Sequence, residues 1–448
     1  MMSLLYTYDP VVFSRMLTSL TLGFHIIFAT IGVGVPLYIG LAEWIGIRKN
    51  DFHYILLARR WARGYVITVA VGVVTGTAIG LQLSLLWPSF MQVAGQSIAL
   101  PLFMETFAFF FEAIFLGIYI YTWDRFKNPK THLIFLIPVV IGSGASAIFI
   151  TIVNAFMNYP VGFTINNGTI TDVNPLKAML SPAMPSKIAH VLDSAYLTCG
   201  LILAAIAAFA LLKGQKNNYH RKALKFTMIC SFVFMIATVI IGDLSGKYLA
   251  VYQPEKLAAT EWHFQTESYA PLILGGVLQD DYSVKYALKI PYGLSILAYS
   301  NPSAEVVGLD QFPQEHWAPL WVHYIFDLKM GLVGLLVLIT FLFIFQLVRK
   351  RGNIYSKWLL TLVVIAAPAA MLTIEHGWIF SEVGRQPWVV RGIMTTAEGA
   401  TKSDHVDLML LLFFLLYLIL GLSSARVLIR MFKRNKVEDE LALYDKIS

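Results

Sequence analysis

About nine apolar runs dominate the sequence, each long enough for a helix to cross a hydrocarbon layer about 30 Å thick, which takes about 20 residues. They lie near 14–45, 64–88, 98–122, 133–157, 187–212, 223–244, 318–348, 357–380 and 406–429. Inside lipid every backbone polar group must be satisfied internally, so the runs predict an all-α, polytopic transmembrane helix bundle of about nine spans. Composition agrees: only 14% of the 448 residues are charged, against about 25% in soluble domains, too few to cover a soluble surface of this size. No long alternating β-pattern suggests an outer-membrane barrel. There is also no Walker loop, no Gly-rich dinucleotide fingerprint and no His-Glu-x-x-His motif.

The net charge of +7 does not point to nucleic acid, because the basic residues sit in short loops between the apolar runs. They alternate. Arg48, Lys49, Arg59, Arg60 and Arg63 follow the first run, Arg125, Lys127 and Lys130 the third, and Lys213, Lys216, Arg221, Lys222 and Lys225 the fifth. Arg349, Lys350, Arg351 and Lys357 follow the seventh, and Arg430, Lys433, Arg434 and Lys436 the ninth. The intervening loops carry few. The positive-inside rule therefore predicts an N-terminus outside, a cytoplasmic C-terminus and an odd number of spans. Met1 to Pro10 lacks a basic n-region and a small-residue cleavage site and reads as uncleaved. Four segments follow: spans one to six over 1–244, an extracytoplasmic segment over 245–316, spans seven to nine over 317–430 and a cytoplasmic tail over 431–448. Residues 159–186 read as an irregular outer loop. A connection as long as 245–316 is unusual without a function. Cys199 and Cys230, the two cysteines, read as small buried hydrophobes.

Ionisable residues inside spans are costly and mark functional candidates. His25 in the first run reads either as a satisfied core histidine or as a metal ligand, and Arg15 lies nearly three turns earlier on roughly the same face. Glu105 and Glu112 in the third run are two turns apart, about 10 Å along one helix face. Phe107, Phe109, Phe110 and Phe111 around them would desolvate a carboxyl group and suit proton carriage; the plainer reading is a hydrogen-bonded structural pair. The fifth run carries His190, Asp193 and Tyr196, and the seventh Asp327, Lys329 and Met330. A His and a Met from different helices can complete a low-spin haem iron, although Met330 alone reads as core filler. The densest cluster closes the eighth run, where Glu375, Trp378 and Glu382 form one stripe before Gly384-Arg-Gln-Pro-Trp388 breaks the helix.

That Gly-Arg-Gln-Pro-Trp motif, preceded by Trp378 and Glu382, resembles the signature of subunit I of the cytochrome bd quinol oxidases. Phe24-His25, Glu105, Glu112, His190, Gly242-Asp-Leu-Ser-Gly246 and Lys256-Leu-Ala-Ala-Thr-Glu261 fall in the family's order, so the resemblance spans nearly the whole chain. It implies a multi-pass subunit of the bacterial plasma membrane that oxidises membrane quinol at the outer face and reduces O2 to water, electrogenically, with protons drawn from the cytoplasm. By the same resemblance His190 and Met330 hold a low-spin haem b. His25 and Glu382 ligate the other two haems, a high-spin haem b and haem d, or a further haem b in its place. Lys256 and Glu261 act on quinol, Glu105 and Glu112 carry protons, Arg385 and Trp378 support the haem cluster, and Arg15 pairs with haem propionates. Ser146 and Asn154 resemble polar residues of a second proton route. The implied partners are a second large membrane subunit, a small single-helix subunit and the lipid bilayer. Two other readings of the same residues are a proton-coupled transporter using Glu105, Glu112 and Lys329, and a haem-bearing anchor without oxygen chemistry.

Overall fold

A computed structural model describes residues 8–166, 169–349 and 353–445; Met1 to Thr7, Asn167-Gly168, Lys350 to Gly352 and the last three residues lie outside them. Within it nine helices are long and apolar enough to cross a membrane. They are α1 (Pro10–Lys49), α2 (Phe52–Leu86), α3 (Pro88–Tyr121), α4 (Leu136–Asn158), α5 (Met184–Leu212), α6 (Asn218–Tyr252), α7 (Val322–Val348), α8 (Lys357–Val383) and α9 (Val406–Arg434). A short helical turn, Pro129–Ile134, leads into α4.

Most helices outrun their apolar cores, because polar capping residues lie beyond the lipid-compatible stretch. Asp9 caps α1, its carboxylate accepting from the Val11 amide at 2.8 Å with Pro10 at the first helical position. Asp51 caps α2 in the same way through the His53 amide. Arg59, Arg60 and Arg63, expected in a loop, therefore lie in the opening turns of α2, and the α1–α2 connection shrinks to residues 50–51. At the other end α6 continues to Tyr252, so the long connection begins at 253, not 245.

Two four-helix rings share a flank. One is α1–α2–α3–α4 and the other α5–α6–α7–α8, each helix packing on the next and the last on the first. The rings join where α1 and α4 meet α5, while α9 lies outside, against α1 and α2. Small residues allow the join. A Cβ on Gly34 of α1 would lie 2.5 Å from the Cys199 Sγ of α5, and one on Gly200 would run into the Tyr38 hydroxyl. Cys199 is buried there and Cys230 half-buried, as small core residues. In the second ring α5 and α7 face each other diagonally, an arrangement that leaves the ring's centre to groups carried by both.

Basic connections gather at one end of the bundle. There Arg59 pairs with Asp124, Lys222 with Asp51, and Arg63 with Glu440 of a tail helix, Val437–Asp445. The opposite end carries the long segment 253–321, which is not a structureless loop. A helix, Pro254–Thr260, is followed by three short antiparallel ribbons pairing 267–268 with 305–306, 272–274 with 288–290 and 277–278 with 284–285. Its apolar stretch forms a helix, Gly293–Tyr299, whose Leu294 and Ala298 pack with Leu257 and with Ala250 of α6. Gly246 accommodates that helix, since a Cβ there would lie 3.0 Å from Leu297. The 159–186 loop likewise holds a hairpin (164–166 with 169–171) and a helical turn, Pro175–Met179.

Candidate functional site

The polar cluster closing α8 is assembled from four parts of the chain. Arg385 turns back one helical turn to place its guanidinium 2.5 Å from Glu382 Oε2, while Asn154 Nδ2 of α4 donates to Glu382 Oε1 at 2.7 Å. Lys187 of α5 donates to Asn154 Oδ1 at 2.8 Å and so fixes the direction in which that amide points. Lys256, from the helix after α6, reaches in from the other side. Its ammonium donates to the Ser381 carbonyl at 3.1 Å and stands 4.7 Å over the Phe380 ring. Gly384 makes this approach possible, because a Cβ at that position would lie 2.6 Å from Lys256 Cε. Three cations thus surround one carboxylate. Burial, then Lys187 and Arg385, holds the Lys256 pKa well below the ordinary lysine value. A narrow cleft opens here, lined by Lys256, Arg385, His316, Trp388 and Arg391.

Glu261 ends the same short helix and is 1% exposed, yet neither carboxylate oxygen has a hydrogen-bond partner among the described residues. Burial, reinforced by the nearby charge of Asp327 and opposed by Lys329, pushes its pKa up to about 8. Beside it Trp262 stacks on His323 of α7, ring centroids 3.9 Å apart. His323 Nδ1 lies 2.7 Å from the Thr260 carbonyl and ties the segment to α7.

His25, half-buried in α1, places Nδ1 2.8 Å from Thr75 Oγ1 of α2. The Thr75 hydroxyl donates to the Val71 carbonyl at 2.9 Å, so it accepts from His25. That fixes the proton on Nδ1 and leaves the Nε2 lone pair available to a metal, as outer hydrogen bonds commonly do for ligating imidazoles. His190 on α5 has a buried Nδ1 without a partner. Met330 lies on the diagonal helix α7, on an exposed side. Trp378 is half-buried on α8, Arg15 is exposed near the start of α1, and Glu375 Oε1 is buried and unpartnered. Among the described residues no three His, Cys, Asp or Glu side chains converge as a metal site. Single donors on separate helices suit axial ligation of a macrocycle, and Glu382 retains lone pairs beyond those its partners occupy.

In the first ring Glu112 is buried, its Oε1 2.5 Å from the Tyr65 hydroxyl, which also lies 2.9 Å from the Gly32 carbonyl. One hydroxyl proton serves two oxygens, an arrangement that a proton on Glu112 completes. Glu105 accepts from Ser146 of α4 at 2.8 Å. Ser146 thus stands with Glu105 of α3, and Asn154 with Glu382 of α8. The phenylalanines correct the expected setting. Phe107 and Phe110 are 66% and 59% exposed and point away from the ring, because the carboxylate face of α3 turns inward. Desolvation comes instead from α4, where a Cβ on Gly142 would lie 3.0 Å from Glu112 Cβ. Lys187, Thr75 and His323 escaped sequence reading. Only Lys187 carried a signal, standing one turn before His190 on the same helix.

Comparison with known proteins matches this architecture. The profile of the family described as cytochrome bd terminal oxidase subunit I matches residues 13–436. The chain is similar to a putative cytochrome bd menaquinol oxidase subunit I of Bacillus subtilis (strain 168), 39% identical over 97% of this chain and 99% of the relative. A cytochrome bd ubiquinol oxidase subunit 1 of the same organism is 29% identical, over 96% of this chain and 95% of its own. Among solved structures, a chain of the bd oxidase from Geobacillus thermodenitrificans superposes with a TM-score of 0.92 at 62% identity, covering 96% of this chain and 99% of that one.

Proposed function

This chain belongs to the cytochrome bd terminal oxidase subunit I family, the haem-bearing catalytic subunit of a quinol:O2 oxidoreductase in a bacterial membrane, and from that premise we propose how its residues divide the work. The basic end faces the cytoplasm and the 253–321 end faces outward, as the positive-inside rule requires. His190 and Met330, on diagonal helices of one ring, hold the low-spin haem b. His25, with its proton fixed on Nδ1, and Glu382 hold the high-spin haem b and haem d, or a further haem b in its place. Bound haem iron supplies the one-electron transfer and O2-binding chemistry. The positive charge of Lys187 and Arg385 would receive haem propionates, joined by Arg15. Arg385 and Trp378 would support the haem cluster.

At the outer end Lys256 orients quinol and Glu261, buried and free of partners, accepts its proton. In the other ring Glu112 and Glu105, with Tyr65 and Ser146, hold protons arriving from the cytoplasmic end. Electrons taken outside and protons taken inside together move charge across the membrane. A second large membrane subunit completes the enzyme, as is usual for subunit I, with a small single-helix subunit as an additional partner.

One observation carries this reading. Lys256 of the outer segment packs against the backbone of Ser381 and Gly384, one and two residues from Glu382, so quinol and an iron ligand share a wall. A reduced-minus-oxidised spectrum and a CO-difference spectrum of the purified oxidase test it. We expect low-spin and CO-binding haem together; low-spin haem alone supports an anchor, and a colourless complex a transporter.

A further inference from the structure

Glu261 can accept a proton, but it is 1% exposed and nothing it touches leads the proton away. Quinol oxidation to quinone breaks two O–H bonds. Two electrons pass on in the oxidase reaction, and two protons must leave through a site with one buried base. We propose that Asp327 is the exit carboxylate of the quinol site, taking each proton from Glu261 and releasing it to the outer solvent. This rests on the reading of Glu261 as the quinol's proton acceptor.

Asp327 is arranged for that task. Its Oδ2 accepts from the Gly275 amide at 2.5 Å and lies 3.2 Å from His323 Nε2. Its Oδ1 is buried and has no partner. His323, fully buried, ties this carboxylate to the outer segment. Nδ1 faces only the Thr260 carbonyl, next to Glu261, and Nε2 faces Asp327 Oδ2 and the Gly275 carbonyl at 3.3 Å. The ring also stacks on Trp262. With Oδ2 occupied twice, Oδ1 is the open acceptor.

The two carboxylates differ in access. Glu261 is sealed, whereas the Asp327 side chain is 16% exposed beneath the outer ribbon that contains Gly275. The ionisable groups facing them are Lys329 and His323 of α7, of which Lys329 opposes the charge on Glu261. A proton moving from Glu261 to Asp327 Oδ1 breaks one O–H bond, forms another and restores the Glu261 carboxylate for the second quinol proton. Water at the outer face then takes the proton from Asp327.

Asp327→Asn and Asp327→Glu in the complete oxidase test this. Asparagine retains an oxygen for the Gly275 amide but cannot carry the proton. We expect D327N to lower kcat for quinol oxidation roughly tenfold or more, the low end of proton-transfer contributions, with KM little changed and a larger D2O effect. D327E should recover most of the rate, and a soluble reductant that bypasses quinol should reduce both variants normally. Wild-type kcat in D327N overturns the proposal. So does equal loss in both variants with raised KM, lowered Tm and an unaltered D2O effect, which would make Asp327 a loop clamp. Glu261→Gln separates the layers: unchanged quinol oxidation there refutes the underlying reading, whereas a slow E261Q beside a normal D327N refutes the exit alone.

Discussion

Replacing Gly384 by alanine should disable the quinol site without removing a charged group. The new Cβ would lie 2.6 Å from Lys256 Cε and 2.8 Å from the Phe380 carbonyl, whereas carbon pairs rest at about 3.5–4.0 Å. The carbonyl belongs to the end of α8 and cannot move far, so the lysine must withdraw by about 1 Å. Withdrawal breaks the 3.1 Å hydrogen bond to the Ser381 carbonyl, about 1.5–3 kcal/mol for a charged donor. It also lifts the ammonium from the Phe380 ring, worth about 0.5–2 kcal/mol. The sum is about 2–5 kcal/mol. If half of that appears in quinol binding, kcat/KM falls about 5- to 70-fold. The assay is steady-state quinol oxidation by the purified oxidase, alone and in a Lys256→Ala background. With Cε gone, the second alanine should cost less, and the difference measures the steric coupling. Wild-type kcat/KM in G384A, or an equal penalty in both backgrounds, would refute the packing argument.

Three further outcomes follow from the same geometry. His190→Ala and Met330→Leu should each abolish the low-spin haem band while some CO binding persists; a normal band in both variants would remove them as ligands. Tyr65→Phe should destabilise the subunit by about 1–3 kcal/mol, the cost of leaving the buried Glu112 oxygen unpaired, and slow turnover, read by thermal melting and oxygen consumption. Because Glu261 titrates near 8 and acts as a base, quinol oxidation should fall as pH drops through that value and the carboxylate protonates. The limb should vanish in E261Q, and a limb identical to wild type would clear Glu261 of the role.

Much of this was legible in the sequence because lipid leaves few solutions for long apolar runs, and hydropathy and helical spacing were enough to single out the six span positions proposed as iron ligands or proton carriers. Helix ends were less legible. Asp9 and Asp51 extend α1 and α2 beyond the apolar signal, so the arginines of α2 looked like loop residues. The phenylalanines of α3 misled for another reason: helical spacing gives faces but not which face turns inward, and the close approach at Gly142 decides it. Partnerships across helices were the least legible. That Asn154 serves Glu382 and Ser146 serves Glu105 depends on where α4 meets α8 and α3, which no local pattern encodes.

The position of α9 bears on biosynthesis. This helix follows the other eight spans in the sequence, yet its resting place is against the first two of them: Tyr417 stacks on Phe24 and bonds Thr21 at 2.9 Å. The short helix beyond it then brings Glu440 to Arg60 and Arg63, and Arg60 is only 5% exposed. Until that tail helix is made, Arg60 lacks its Glu440 counter-charge, and leaving one partner of such a pair alone costs about 3–5 kcal/mol. Truncation ahead of residue 437 should therefore leave the seam along α1 and α2 less stable than in the longer chain.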